Sequence, residues 1–299
     1  MKRMLRFILI SMLVSGITAG MAFANGSPEK SPAPKSKGNV ELVYVQWARA
    51  VAITNVAGVI LQDLGYTVKT NSVANAAMWA SVASGDADAL LCAWLPNTHK
   101  ELYAKYRNDV VDVGHNYNGA KLGLVVPSYV PYNTIAELSA HAAQFDNKII
   151  GIDPGAGEMI ETEKAVKNNV EGLGKFKVVE GSGPAMTAAL GAAIKDKQPI
   201  VVTGWKPHWM FGRWDLKILK DNAGIYGSAE HIDTIVTKDL QQKKPGVYKF
   251  LANFDWTKFD LGSVLVANKN GLDPHASAEQ FVNKNKAKIN SMLPAGMQI

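Results

Sequence analysis

From Val40 onward, short apolar runs alternate with amphipathic stretches. Residues 40–46 read as a strand, 53–64 as a helix ending at Gly65, and 67–70 as a second strand. This alternation predicts βαβ units and a mainly parallel sheet. A second series begins with the apolar run 148–152. It passes through the turn-rich Asp153-Pro154-Gly155-Ala156-Gly157 into a helical stretch reaching Val166, and returns as a strand over 176–179.

The segments that follow make the duplication clearer. Ala77-Met78-Trp79-Ala80 leads through a strand over 89–93 to Trp94-Leu95-Pro96, and Ala185-Met186-Thr187-Ala188 leads through a strand over 199–204 to Trp205-Lys206-Pro207. Each is helix, turn and buried strand, stopped by Trp-x-Pro because proline cannot donate to the ladder. Two similar α/β lobes follow as the economical explanation. The expected division is lobe I over 39–127 plus 232–299 and lobe II over 128–231, with crossings at 123–127 and 232–237 forming a hinge. A tail helix over 276–293, with Phe281, Val282 and Ile289 on one face, is expected to pack on the first lobe.

Composition is that of an ordinary globular chain, with 299 residues, 47% hydrophobic and 19% charged, which excludes wholesale disorder and fibrous repeats. The net charge of +6 suggests an anionic partner until the first residues are read. Residues 1–24 carry Lys2, Arg3 and Arg6, then an apolar run from Phe7 to Val14, then Ala22-Phe23-Ala24, the three-part build of a cleavable secretory signal. Removing them takes three of the 32 basic residues and none of the 26 acidic ones, leaving +3 and no case for nucleic acid. Residues 25–38, with Ser27-Pro28 and Ser31-Pro32, read as a disordered leader. No cysteine stands near the cleavage site to carry a lipid, so the expectation is a soluble periplasmic monomer.

Three tryptophans stand where predicted strands end: Trp47, Trp94 and Trp205. In open α/β sheets ligands bind beyond those ends. Closure of two lobes would turn aromatic faces towards one another, which suits a quaternary ammonium, a cation that donates no hydrogen bonds. Trp79, Trp209, Trp214 and Trp256 are expected to pack in the core. The turn 151–157 carries a strand into a helix, where backbone N–H groups could hold a carboxylate. It has neither the phosphate-loop nor the dinucleotide spacing. His99 follows Trp94 closely enough to reach the same anion. His115, His141, His208, His231 and His275 show no metal-binding spacing. Cys92, the single cysteine, sits in an apolar strand and is expected to be inert. No nucleophile elbow or acid/base pair is evident, so neither catalysis nor a metal nor any cofactor is expected.

Taken together, Ala93-Trp94-Leu95-Pro96-Asn97-Thr98-His99, Ile150-Gly151-Ile152-Asp153-Pro154-Gly155 and Thr203-Gly204-Trp205-Lys206-Pro207-His208-Trp209-Met210-Phe211 resemble the glycine betaine-binding proteins of ABC importers, the OpuAC-like group. The resemblance runs from Val40 to Leu293. It implies a two-lobed periplasmic binding-protein fold of type II that closes on its ligand and delivers it to a membrane permease. It also implies an ammonium cage on Trp47, Trp94 and Trp205, with the carboxylate held by His99 and by the backbone N–H groups of Gly151 and Ile152. The expected ligand is glycine betaine, with choline, carnitine or another betaine-like solute as the alternative. An exported enzyme acting on a choline derivative is the distant one. One departure is Trp47-Ala48-Arg49-Ala50, where relatives carry an acidic or small polar pair. Facing the cleft, Arg49 would favour a carboxylated ligand over a bare cation; facing solvent, it would say nothing.

Overall fold

The computed structural model describes residues 36–299. The signal expected at 1–24 and the leader up to residue 35 lie outside the described residues. The first series folds as β1 (Asn39–Tyr44), α1 (Ala48–Asp63), β2 (Thr67–Ser72), α2 (Asn75–Ser84) and β3 (Ala89–Leu95). β1 lies between β2 and β3, parallel to both. Then come α3 (Lys100–Tyr106), β4 (Val110–Pro127) and α4 (Ile135–Ala140). The second series is β5 (Lys148–Ile150), α5 (Gly157–Lys167), β6 (Lys177–Val179), α6 (Gly183–Lys195) and β7 (Val202–Lys206). Here β5 lies between β6 and β7, again parallel to both. The duplication read from the sequence is therefore a duplication of element order and of strand order.

The chain continues with α7 (Met210–Arg213), β8 (Leu216–Ile218), β9 (Glu230–Thr237), α8 (Leu240–Lys243), α9 (Pro245–Asn253), α10 (Gly262–Lys269) and α11 (Pro274–Met292). Antiparallel strands join the two parallel groups, giving the order β2-β1-β3-β9-β4-β7-β5-β6, with β8 paired to β4. The first part of β4 pairs with β9, from Val110 opposite Thr237 to Ala120 opposite Glu230. Its second part pairs with β7, from Lys121 opposite Lys206 to Val125 opposite Val202. At 18 residues β4 spans roughly 60 Å. Its first half was not legible as a strand because the register shifts at three places between Asp112 and Ala120. Such bulges destroy period-two alternation.

Burial follows from the sequence pattern. All seven residues of β3, Ala-Leu-Leu-Cys-Ala-Trp-Leu, are buried, as a strand covered on both faces requires. α1 is apolar on most sides, because the sheet lies on one side of it and α11 packs on another. Asp273 starts α11 by accepting the N–H groups of His275 and Ala276, and Ser182 starts α6 by accepting that of Ala185. One core cluster gathers Leu42, Ile53, Ile60, Leu91, Phe250, Trp256 and Phe281. The other runs from Val43, Met78 and Trp79 through Leu124 to Ile149 and Leu190, joining the first series to the second. Trp79 and Trp256 are buried as expected, whereas Trp209 and Trp214 are only half-buried. Cys92 is buried against Met78, and desolvation pushes its thiol up to about 12, which fits an inert residue.

Candidate functional site

A small cavity opens where the two series meet, lined by Trp47, Trp94, His99, Ile152, Glu158 and Trp205 among others. Trp47, between β1 and α1, and Trp94, near the end of β3, enter it from the first series, and Trp205, near the end of β7, enters from the second. All three indoles are over nine-tenths buried. The Trp47 Nε1–H donates to Asp153 Oδ1 at 2.8 Å, so the loop after β5 fixes the orientation of a ring carried by the other half. Asn75 Nδ2 also donates across, to the Gly155 carbonyl.

His99 lines the same cavity and packs against Trp47 at 5.7 Å and edge-on to Trp79 at 5.9 Å between ring centroids. Its Nδ1 accepts the Trp94 backbone N–H at 3.1 Å, which leaves the proton on Nε2. Burial lowers its pKa to about 3, so the ring is neutral at physiological pH. Nε2 is buried without a partner among the described residues, and is therefore a fixed donor held in reserve.

The anion-binding turn differs from expectation. The Gly151 N–H donates to the Val179 carbonyl at 2.8 Å, extending the β5–β6 ladder, and Gly151 does not line the cavity. Ile152 does line it, but its N–H faces Met159 Sδ at 3.3 Å. The helix itself begins where the sequence places it, after the turn-rich 153–157. The Ala156 N–H closes a turn on Asp153, and α5 begins only at Gly157, so it is Ala156, Gly157 and Glu158 that face the cavity. The Gly157 and Glu158 N–H groups make no hydrogen bond among the described residues, as the first turn of a helix leaves them free. Only glycine fits at 157, since a Cβ there would lie 2.3 Å from the Thr98 carbonyl oxygen.

Glu158 is the residue that sequence reasoning missed. Its side chain is 2% exposed, and Oε1 accepts the Gly204 N–H at 2.8 Å and the Gly123 N–H at 3.4 Å. These glycines stand opposite each other across β7 and β4. Oε2 has no partner among the described residues. Desolvation, aided by the Asp153 charge, outweighs the two N–H bonds and raises the pKa well above the carboxylate range. The shift favours the acid form, whose O–H could donate. No sequence motif marks it, and a glutamate in the first turn of a helix does not announce that it is buried.

Arg49 faces neither cleft nor solvent. It is 6% exposed, donates through Nη1 and Nη2 to the Asn116 side chain and carbonyl, and lies over the Tyr117 ring at 5.0 Å. Burial lowers its pKa to about 10, still leaving it charged at neutral pH. The histidines also depart from expectation: β4 and β9 bring His115 and His231 together on Asp233, a pairing that no local spacing announced.

Comparison with known proteins identifies the family. Residues 38–284 match the family model described as the substrate binding domain of ABC-type glycine betaine transport systems, OpuAC. The glycine betaine/carnitine transport binding protein of Listeria monocytogenes is 42% identical over 159 residues, a stretch covering 53% of this chain and 52%, about half, of that protein. A lactococcal OpuAC in its closed-liganded conformation with glycine betaine superimposes with a TM-score of 0.81 at 42% identity, over 86% of this chain and 100% of that one. An ABC-transporter choline binding protein in complex with choline also gives 0.81, at 28% identity, over 87% and 92% of the two chains. The sheet order, the paired halves and these likenesses are those of a type II periplasmic binding protein, and the chain belongs to the OpuAC family of substrate-binding domains, which bind and do not catalyse.

Proposed function

We propose that this chain is the ligand-capturing component of an ABC importer for a small zwitterion that carries a quaternary ammonium and a carboxylate, glycine betaine before others. One observation carries the reading: three buried indoles share one small cavity with a set of uncommitted donors. Those donors are His99 Nε2–H, the Gly157 and Glu158 N–H groups and the protonated Glu158. Indole faces attract an ammonium that offers no hydrogen bond, by roughly 0.5–2 kcal/mol per ring when water is excluded. Donors at a helix N-terminus satisfy a carboxylate. The two needs of a betaine are met by different groups in one space.

In this reading lobe I comprises 39–127 plus 232–299 and lobe II comprises 128–231. They hinge at β4 and β9 and shut over the ligand, and the closed form is what the permease receives. The protein works as a periplasmic monomer after loss of residues 1–24. Among the described residues no helix is long and apolar enough to cross a membrane.

Calorimetric titration with glycine betaine tests the cage. Trp205→Ala is expected to lower affinity at least about tenfold, or 1.4 kcal/mol, with the thermal transition preserved. Unchanged affinity would remove Trp205 from the site. A choline-type ligand is the second reading, favoured by one observation: Glu158, if a bare cation draws it into its ionised form, would be a buried counter-charge.

A further inference from the structure

We propose that the β4–β9 ladder holds a second site, for a divalent transition cation of the zinc class, built from His115, His231 and Asp233. The strand register creates it. His231 and Asp233 are two residues apart on β9 and so point to the same face, and His115 on β4 is the register partner of Asp233. The three side chains converge: His115 Nδ1 lies 2.5 Å and His231 Nδ1 2.8 Å from the same oxygen, Asp233 Oδ1, with the ring centroids 3.9 Å apart. Their potential ligating atoms all fall within 4.8 Å of one another.

The second observation is the state of Asp233. It is 0% exposed, its Oδ2 is buried with no partner, and no lysine or arginine pairs with it among the described residues. A buried carboxylate requires compensation, and two imidazole N–H groups crowded onto one oxygen leave the other oxygen unsatisfied. A cation bound by both Nδ1 atoms and the carboxylate would satisfy it. Two imidazole nitrogens with one carboxylate suit zinc, nickel or copper rather than calcium or magnesium. In a neutral histidine the proton moves from Nδ1 to Nε2 as the metal binds, so no net proton need be lost. Access is from outside, because the His115 side chain is half-exposed and His231 lines a groove with Pro96, Tyr103 and Asp112.

The site is separate from the ligand cavity but adjoins what supports it. Leu95 pairs with His231, and the neighbouring Glu230 accepts the Asn97 and Thr98 N–H groups of the loop that ends in His99.

The test is titration of the chelator-stripped mature chain with Zn2+ by calorimetry, and with Co2+ by visible ligand-field absorption. One saturable site per chain is expected. It should be lost in both His115→Ala and His231→Ala and kept in His275→Ala, whose histidine is remote on α11. Glycine betaine titration and far-UV circular dichroism of each variant report whether it has folded. Absence of saturable Zn2+ binding in the parent overturns the proposal, as does binding that survives both substitutions in folded protein.

Discussion

At the scale of single residues, the cavity owes its character to two groups whose protonation is governed by burial. His99 is held neutral with its N–H on Nε2, and desolvation raises the Glu158 pKa well above its usual value, favouring the acid. In the proposed reading both present donors to a ligand carboxylate. The sign of the pH effect follows. Below the raised pKa of Glu158 the acid donates to the ligand, and as pH rises through that value the ionised form repels the ligand's carboxylate. Betaine affinity is expected to fall towards alkaline pH in the parent and to stay level in Glu158→Gln, whose amide still donates. Calorimetry across neutral and alkaline pH checks this, and parallel profiles in the two proteins would remove Glu158 from ligand contact. Trp47, Trp94 and Trp205 were legible as candidates because each stands at the end of an apolar run, whereas His99 rested on its nearness to Trp94 and on the family resemblance. Glu158 and Arg49 were not, because the identity of a charged side chain does not reveal whether it is buried or what buries it.

At the scale of elements, the start of α5 is the decisive feature. Gly151 looked like the anion-binding turn in the sequence, yet its N–H completes the ladder to Val179, and the free N–H groups appear six residues later. Gly157 lets that helix end approach the Trp94–His99 loop, since any Cβ would strike the Thr98 carbonyl. Gly157→Ala is expected to push α5 away from the loop and weaken betaine binding at least about tenfold, while the remote core keeps a cooperative thermal transition. Equal affinity in calorimetric titration would show that the approach is not needed. β4 and β9 illustrate a different limit of sequence reading. Their apolar ends were visible, but the register that sets His115 against Asp233 depends on bulges that no local pattern encodes.

At the scale of the whole molecule, the duplicated β-α-β-α-β series explains why two halves with similar sheets face each other. Each series brings a Trp-x-Pro strand end to the same cavity, Trp94 from one and Trp205 from the other. The duplication was readable because it repeats both the periodicity and the stop signals; the antiparallel strands that weld the halves were only partly so. In the proposed reading a ligand in this cavity touches both halves, and its two charges are read by different groups. That claim is tested most directly by titrating the parent and His99→Ala with glycine betaine and with choline under identical conditions. The account predicts that the parent binds betaine more tightly than choline, and that losing the Nε2–H weakens betaine much more than choline. Choline binding as tight as betaine in the parent, or equal losses for both ligands in the variant, would contradict it.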